Sequence, residues 1–384
     1  MFRLSAKLLK TFTGHTNFVN SIDCFTFNDD QFICSGSEDT TVCLWNVKNN
    51  EQIQSFNKHS SNVNCVKFSQ YHHYMNCRSV ICSSSEDKTI RFWDIKDNRQ
   101  LQICNQHTNH VYGIEFSSFD GGRYLCSGSY DKTIRLWDVE TYKSLHVFNG
   151  HEKCVWCVDI SPLQSNNNSN KSNSIGVIGG NGYTMCSGSF DKTIRIWDIE
   201  TTKQLILFKG HENWVRCVKY GSKELMINGD ANTILSGSSD KSIRLWDIRS
   251  GQQIQVFNGH TNTTWSVEYS PLAIKNIEVS ANSNVICSGS SDGTIRFWDI
   301  RSNKKEVYVI KEKNGILCFK FLQLKNNKKR NNDIDVNLCY EKDLFVKYFS
   351  TNCTYFKHLY SLIKFLFVII QLYILLINIT IFSI

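Results

Sequence analysis

One short pattern places serine, aspartate and tryptophan at the same spacing six times. Residues 127–140 read SGSYDKTIRLWDVE, and related segments stand at 35–48, 83–96, 187–200, 236–249 and 288–301. A histidine precedes each copy. Serine, histidine and aspartate are the groups that hydrolases combine into a nucleophile and its base. The first question is therefore whether these copies are reaction centres.

Repetition favours a structural role for these groups. Catalysis needs one strained, exposed nucleophile, whereas six copies of one set are typical of a buried brace. We therefore predict no catalytic residue and no enzymatic activity. The residues expected to form the brace are His15, Asp39, Trp45, His59, Asp87, Trp93, His107, Asp131, Trp137, His151, Asp191, Trp197, His211, Asp240, Trp246, His260, Asp292 and Trp298.

The segments between these residues predict short β-strands. After each histidine comes an alternating run such as NVNCVKFS (62–69), then a variable loop and a second run that ends in SGS or SSS. A turn with the aspartate, a third run such as TIRLWD and a fourth such as SLHVFNGH (144–151) follow. Four such runs per unit predict a four-stranded antiparallel sheet.

These units resemble WD repeats, the blades of β-propellers. The resemblance covers about residues 8–301, and the Trp-Asp pair is intact in five units and becomes Trp45-Asn46 in the first. It implies that the histidine, a serine, the turn aspartate and the tryptophan of each unit form one hydrogen-bonded set. Either serine of each SGS could join that set.

The predicted fold is all-β, a seven-bladed propeller over residues 1–349. A partial unit at the C-terminal end resembles a last blade, and Leu8–Phe12 resembles a fourth strand without a blade of its own. Pairing the two closes the ring and removes an exposed sheet edge. The expected blades are 15–56, 59–104, 107–148, 151–208, 211–257, 260–310, and 314–349 together with 8–12.

The tail at 350–384 departs from the repeat, since neither SGS nor a Trp-Asp pair follows residue 341. Residues 359–384 are apolar except for Lys364, Gln371 and Asn378, long enough for a helix that crosses a membrane. This segment would anchor the propeller to a membrane from its cytosolic side. Alternatively, the tail is an artefact of gene prediction, because it lacks the glycine, alanine and proline of the preceding chain.

Cysteine positions and charge distribution indicate where the protein is located and what it binds. Cys34, Cys82, Cys126, Cys186 and Cys287 share one position before the repeated serines, which favours small buried thiols and an intracellular protein, cytoplasmic or nuclear. The net charge of +8 comes from residues 301–330, so the repeats carry no basic groove for nucleic acid. No pattern predicts a metal or cofactor. We expect a monomeric propeller within a protein complex.

The differences between repeats predict a protein-binding rim. By the resemblance, residues early in each first strand and just before each turn aspartate line the mouth of the central channel. Aromatic residues and an arginine there are typical of interface hot spots, and two acids face them. Such a rim suits a peptide with an apolar anchor and a basic end, although some rings could instead pack between blades. The predicted rim residues are Tyr112, Tyr130, Trp156, Phe190, Trp214, Arg216, Trp265, Glu38 and Glu86.

The sequence therefore indicates a non-enzymatic scaffold or adaptor in a multiprotein complex. An alternative comes from WDIR at 246–249 and 298–301. Such endings are similar to those of propellers that act as substrate receptors of cullin-type ubiquitin ligases, where Arg249 and Arg301 would contact the adaptor. A tail-anchored adaptor is the other alternative.

Overall fold

The computed structural model describes residues 4–27, 30–162, 183–221, 233–270, 285–300, 306–323, 336–342 and 345–353. These residues form seven antiparallel sheets of four strands each. The predicted all-β, seven-bladed propeller is confirmed.

The first blades follow the chain in order, and each contributes its strands in sequence. Blade 1 contains β2 (Val19–Phe27), β3 (Asp30–Ser37), β4 (Val42–Asn46) and β5 (Glu51–Phe56). Blade 2 contains β6 (Val63–Phe68), β7 (Val80–Ser85), β8 (Ile90–Asp94) and β9 (Arg99–Cys104). Blade 3 contains β10 (Val111–Phe116), β11 (Tyr124–Ser129), β12 (Ile134–Asp138) and β13 (Lys143–Phe148).

The remaining blades repeat this order until the last, which borrows a strand from the other end of the chain. Blade 4 contains β14 (Val155–Ile160), β15 (Thr184–Ser189), β16 (Ile194–Asp198) and β17 (Gln204–Phe208). Blade 5 contains β18 (Val215–Tyr220), β19 (Thr233–Ser238), β20 (Ile243–Asp247) and β21 (Gln252–Phe257). Blade 6 contains β22 (Thr264–Tyr269), β23 (Val285–Ser290), β24 (Thr294–Asp299) and β25 (Glu306–Lys311). Blade 7 contains β26 (Phe319–Gln323), β27 (Val336–Lys342), β28 (Phe345–Cys353) and β1 (Leu4–Thr13).

In the loops that the structure describes, two short helical segments lie between first and second strands. Helix α1 (Gln70–Asn76) joins β6 to β7, and a 3₁₀ turn (Asp120–Gly122) joins β10 to β11. We call this side of the propeller the bottom face and the opposite side, with the repeated histidines and turn aspartates, the top face. First strands of neighbouring blades contact one another, so they line the central channel.

The hydrophobic core consists of seven clusters, one between each pair of neighbouring blades. The cluster between blades 7 and 1 joins Phe12 and Val346 to Trp45. A complete circle of such interfaces means that every blade has its apolar faces covered. The five cysteines before the repeated serines are completely buried in these clusters or beside them, as expected.

The ring closes where β1 pairs antiparallel with β28, from Leu4 opposite Cys353 to Thr13 opposite Phe345. The outer strand predicted at Leu8–Phe12 is therefore present and longer than expected. The third strand, absent from the sequence pattern, is Phe345–Cys353 and extends beyond the predicted end at 349. Backbone pairing does not require the Trp-Asp pair, because strand hydrogen bonds use groups that every residue except proline supplies.

In six blades, one serine hydroxyl joins a histidine to a tryptophan. Histidine Nδ1 lies 2.7–2.9 Å from the turn aspartate Oδ2, and histidine Nε2 lies 2.7–2.8 Å from the serine Oγ. Tryptophan Nε1 donates to the same Oγ at 2.8–2.9 Å. This serine is the first of each triplet: Ser35, Ser83, Ser127, Ser187, Ser236 and Ser288.

The donors and acceptors of this brace determine its proton arrangement, for which blade 3 serves as the example. The Asp131 carboxylate only accepts, so the proton of a neutral His107 lies on Nδ1 and its Nε2 accepts from Ser127. The Ser127 oxygen in turn accepts from Trp137. Burial alone would raise the pKa of Asp131, but hydrogen bonds from His107 and Thr133 hold it below its usual value. Burial lowers the pKa of His107 and keeps the ring neutral.

The last serine of each triplet orders the adjoining turn. Ser129 Oγ accepts from the backbone N–H of Asp131 at 3.1 Å and donates to the Asn109 carbonyl at 3.3 Å. The turn also places Lys132 at φ 71°, a left-handed conformation that glycine adopts more easily. In blade 6 the corresponding residue is Gly293, at φ 75°. Asp131 stabilises this strained turn by accepting hydrogen bonds from the Thr133 backbone N–H and from Thr133 Oγ1.

Blade 7 replaces the brace with different chemistry. Glu312 lies five residues before the first-strand bulge position, where the other blades have histidine, and Tyr340 replaces the serine. Tyr340 donates to Glu312 at 2.5 Å, and Lys347 Nζ donates to the same carboxylate at 2.9 Å. Burial, followed by the hydrogen bond with Glu312 and the charge of that residue, raises the pKa of Tyr340. A glutamate and a tyrosine thus stand at the positions of the histidine and the serine, and Lys347 stands at the position of the third-strand arginine, because it pairs with Tyr340 as Arg91 pairs with Ser83.

Blade 1 departs from the brace at a single position. Cys43 stands on β4 where the other five braced blades have an arginine, which in four of them lies within 4.0 Å of the turn aspartate, as does Arg91, 3.4 Å from Asp87. Burial opposes protonation of His15, but hydrogen bonds with Asp39 and Cys43 raise its pKa to about 9. In blade 2, burial lowers the pKa of His59, and the Arg91 charge adds to that effect.

The closing strand provides a test of the ring. Phe12 is 2% exposed and its ring centroid lies 5.8 Å from that of Trp45. Phe12→Ala should lower the free energy of unfolding by about 3 kcal/mol or more, because it leaves a cavity between blades 7 and 1. Leu9→Ala on the same strand is the control, since Leu9 is 46% exposed and its loss should cost under about 0.5 kcal/mol. Equal effects of the two changes in chemical denaturation would contradict this closure.

The cysteine at position 43 of blade 1 predicts how the stability of the fold depends on pH. In Cys43→Arg, the new guanidinium would lie near Asp39 and could bind Gln52, as Arg91 binds Gln100 at 2.9 Å. The pKa of His15 should then fall from about 9 to below its ordinary value of 6.5. A raised histidine pKa stabilises the fold below pH 6.5 and this contribution is lost as the pH rises through 9, so the variant should lose less stability between pH 6.5 and 9.

Histidine NMR titration and thermal midpoints over this pH range measure the two effects. Cys43→Ser is the control, because it removes the Cys43 thiol without adding a charge, so the pKa of His15 should fall less than in Cys43→Arg. An unchanged His15 titration in Cys43→Arg would show that the missing arginine does not set this pKa.

Candidate functional site

The repeated serine, histidine and aspartate sets are enclosed in the blades. Their order of hydrogen bonds is that of a nucleophile, base and acid, yet each of the six bridging serines is 0% exposed. The six histidines are 4–6% exposed. A substrate carbonyl could not approach these hydroxyls without opening the blade. The sets therefore act as braces that position the loops of the top face.

A β-bulge in each first strand positions one side chain at the top mouth of the channel. The pairing of first and second strands shifts after the opening residue in blades 1–6, as between Val215 and Cys217. A bulge bends the strand and re-aims the extra residue, which explains why this position faces the mouth. The bulge residues are Asn20, Asn64, Tyr112, Trp156, Arg216 and Trp265.

The residue before each turn aspartate reaches the same mouth. Its backbone N–H donates to the carbonyl of the residue before the first strand, as Phe190 does to Cys154 at 3.0 Å. Six such hydrogen bonds set this turn position in blades 1–6. The turn residues are Glu38, Glu86, Tyr130, Phe190, Ser239 and Ser291.

Five predicted rim residues form one aromatic cluster: Tyr112, Trp156, Phe190, Trp214 and Trp265. The Tyr112 and Trp156 rings stack at 4.1 Å between centroids, and Phe190 stacks on Trp214 at 4.1 Å. Trp156 links these pairs, 5.2 Å from Phe190 and 5.9 Å from Trp265. Trp214 remains 39% exposed. The cluster therefore consists of stacked aromatic rings, of which the Trp214 indole is accessible to a ligand.

Arg216 lies inside the aromatic cluster. Its guanidinium carbon is 4.2 Å from the Trp265 ring centroid and 4.5 Å from that of Trp156, with Phe190 and Trp214 at 4.7 and 4.9 Å. Its Nε donates to Ser239 Oγ at 3.0 Å. The residue is only 9% exposed, and burial lowers its pKa to about 10, so it remains charged at neutral pH.

The opposite part of the rim is acidic. Burial raises the pKa of Glu38, and the charge of Glu86 adds to this, which indicates that the two acids influence one another across blades 1 and 2. Tyr130, 49% exposed, lies between this acidic part and the aromatic cluster, with its centroid 6.5 Å from Tyr112. The structure thus gathers all nine predicted rim residues at one mouth, and the sequence did not foresee that Arg216 fills the cluster.

The bulge residues of blades 1 and 2 have another role. Asn20 Nδ2 donates to the Val63 carbonyl at 3.1 Å, and Asn64 Nδ2 donates to the Val111 carbonyl at 2.9 Å. Each asparagine therefore joins its blade to the next. The bulge residues with aromatic or arginine side chains at the mouth are therefore those of blades 3–6.

A ring of charges inside the channel was missed by sequence reasoning. Each first strand carries a charged residue three positions after the bulge residue, within an otherwise apolar run such as CVKF or GIEF. This repeated charge on strands expected to be buried is the signal that could have revealed it. The charge ring consists of Asp23, Lys67, Glu115, Asp159, Lys219, Glu268 and Lys320.

Ion pairs across blades hold the charge ring. Glu115 lies 2.6 Å from Lys67 and 3.0 Å from Lys219, which also approaches Asp159 at 3.4 Å. Burial alone would raise the pKa of Glu115, but Lys219 and Lys67 hold it well below its usual value. The ring borders a bottom-face cavity of about 400 Å³. Its positive and negative charges nearly cancel, which is typical of ion pairs that hold neighbouring blades together.

The remaining predicted features lie away from the rim or outside the described residues. Arg249 is exposed after β20, with its backbone N–H bound by Asp247 Oδ1 at 3.0 Å, whereas Arg301 lies outside the described residues. The apolar segment 359–384 also lies outside them. Among the residues that the structure does describe, no helix is long and apolar enough to cross a membrane. Nor do these residues contain a group of three or more side chains placed to hold a metal ion.

Comparison with known proteins finds sequence similarity to repeat proteins. Short segments match curated relatives: a WD repeat-containing protein WDS homolog of Arabidopsis thaliana is 42% identical over 59 residues, and a Lissencephaly-1 homolog of Dictyostelium discoideum is 46% identical over 44. A U3 small nucleolar RNA-associated protein 15 homolog of Xenopus tropicalis is 37% identical over 67 residues. These matches cover 15%, 12% and 17% of this chain and 11%, 10% and 12% of the relatives.

The family model described as WD domain, G-beta repeat, matches six segments that together span most of the chain. They are residues 6–46, 50–94, 98–138, 142–198, 202–247 and 251–299. Three of the four strands of the seventh blade, β26, β27 and β28, lie beyond these matches, and its third strand lacks the Trp-Asp pair. Six matched repeats, closed into a ring by a divergent seventh, show that this chain belongs to the WD40 repeat family.

Proposed function

We propose that the protein is a non-enzymatic interaction scaffold whose top rim binds a peptide or loop of a partner protein. The supporting observation is the aromatic cluster, ordered by ring stacking yet accessible through Trp214. Aromatic side chains held rigid at the centre of a surface contribute much of the free energy of protein binding. Because the closed propeller already holds these side chains in place, little conformational entropy is lost when a partner binds. Binding within a protein complex, in the cytoplasm or nucleus, fits this scaffold role.

The charges of the rim suggest how the peptide lies. An apolar side chain would pack on Trp214 and Tyr130, which are 39% and 49% exposed. A basic group of the peptide would approach Glu38 and Glu86. It would not enter the aromatic cluster, because Arg216 already occupies the ring faces there and repels a second cation. The predicted basic end is therefore proposed for the side of blades 1 and 2.

Trp214→Ala tests the proposed rim. Proximity labelling by the full chain in cells should show the direct partners of the wild type depleted about tenfold or more in this variant, because truncating an interface hot spot costs about 2 kcal/mol or more. Tyr74→Ala is the matched control, since Tyr74 is 67% exposed on α1 at the bottom face. An unchanged partner set for Trp214→Ala, with the same fold by circular dichroism, would place the docking surface elsewhere.

A second candidate role, as substrate receptor of a cullin-type ubiquitin ligase, is supported by the exposure of Arg249 in the turn after β20. If this role is correct, Arg249→Ala should weaken binding to a purified adaptor subunit of such a ligase about tenfold, because charge-assisted hydrogen bonds are lost. Lys241→Ala, at the other end of β20, is the control. Equal binding by wild type and Arg249→Ala would remove this candidate.

A further inference from the structure

We propose that Arg216 binds a carboxylate of the partner, so that the rim recognises an acidic residue of the docked peptide next to its apolar anchor. This inference rests on the proposed function, since it needs a peptide on the rim. It adds the chemical class of residue that the aromatic cluster selects.

The first support is an incomplete set of hydrogen bonds. A guanidinium has five N–H donors in a planar fork. In the described part of the chain, the Nε of Arg216 binds Ser239, while its two terminal nitrogens make no hydrogen bond. Neither nitrogen is among the fully enclosed polar atoms that lack a partner, so solvent reaches them at the mouth. Their N–H groups are available to a ligand.

The second support is an unpaired charge. No described carboxylate lies within 4.0 Å of Arg216, whereas the lysines of the charge ring have acidic partners. Four aromatic rings contact the guanidinium carbon, and such contacts compensate a buried cation only in part. A carboxylate could bind the terminal nitrogens in bidentate fashion, in a poorly hydrated place where the interaction is strong.

The position of Arg216 is predetermined. The bulge between Val215 and Cys217 directs the side chain to the mouth, and Ser239 and the aromatic rings hold its guanidinium in place. Little side-chain entropy is therefore lost when an anion binds, which favours affinity. These features distinguish Arg216 from a solvated surface arginine.

The surroundings favour a carboxylate over a phosphate. A phosphate group at neutral pH carries close to two negative charges and is bound best by several cations. Within the aromatic cluster Arg216 is the one cation, and Glu38 and Glu86 stand on the same rim. A single negative charge on a planar group matches one guanidinium in both charge and shape.

Selection of displayed peptides by the immobilised full chain tests the proposal. The probe is a library of random 12-residue peptides. Wild type should enrich aspartate or glutamate at one position, and Arg216→Met should lose this enrichment while still binding through the aromatic residues. Methionine is suited as the replacement because its unbranched side chain can fill the space among the rings. Arg216→Glu should enrich lysine or arginine at the same position instead.

Synthetic peptides then measure the size of the effect. Changing the selected aspartate or glutamate to its amide should weaken binding to wild type about tenfold or more, and should leave binding to Arg216→Met nearly unchanged. Arg216→Lys retains the charge without the fork and should bind between wild type and Arg216→Met. Thermal midpoints of all variants check that each is folded.

The outcomes separate this inference from the proposed function. Peptides that bind wild type, require Trp214 and show no acidic preference would overturn the role of Arg216 and leave the rim as docking site. A preference for phosphoserine over glutamate at the selected position would likewise overturn the carboxylate assignment. If no peptide is enriched above the Trp214→Ala background, both the proposed function and this inference fail.

Discussion

One serine hydroxyl in each of six blades is the contact on which the rest of the structure depends. It donates to the histidine that precedes the first strand and accepts from the tryptophan of the third strand. The hydroxyl itself lies on the second strand, so three segments of the blade meet at one oxygen atom. Because all partners are buried, loss of any one would leave another without a hydrogen bond, which is costly inside a protein.

This brace leaves the loops of the top face free to vary in sequence while their positions stay constant. Bulge and turn positions recur in six blades, but their side chains differ: they are asparagine and glutamate in blades 1 and 2, and aromatic in blades 3 and 4. In blades 5 and 6 they are arginine or tryptophan at the bulge and serine at the turn. Blade 7 shows that even the brace can be replaced, since Glu312, Tyr340 and Lys347 form a different hydrogen-bonded set there. Specificity therefore resides in substitutions on a fixed frame.

The same first strands carry both the rim and the charge ring. Arg216 and Lys219 are three residues apart on β18, as are Trp156 and Asp159 on β14. The upper residue faces the mouth of the channel, and the lower one pairs with charges of neighbouring blades. Cross-blade pairs such as Lys219 with Glu115 hold the strands that present the rim, so positions of the binding residues depend on contacts deeper in the channel.

The sequence alone determined the architecture, because each blade is a local unit whose strands, turn and brace lie within one repeat. Through the resemblance to WD repeats it also predicted which residues stand at the mouth of the channel, and their role in binding stays a proposal. Only the tertiary structure decided which serine completes the brace, how Phe345–Cys353 completes the last blade, and that Arg216 fills the aromatic cluster. These features depend on distances between residues from different strands and blades, such as Leu4 and Cys353 at opposite ends of the described chain, and repeat spacing does not encode those distances.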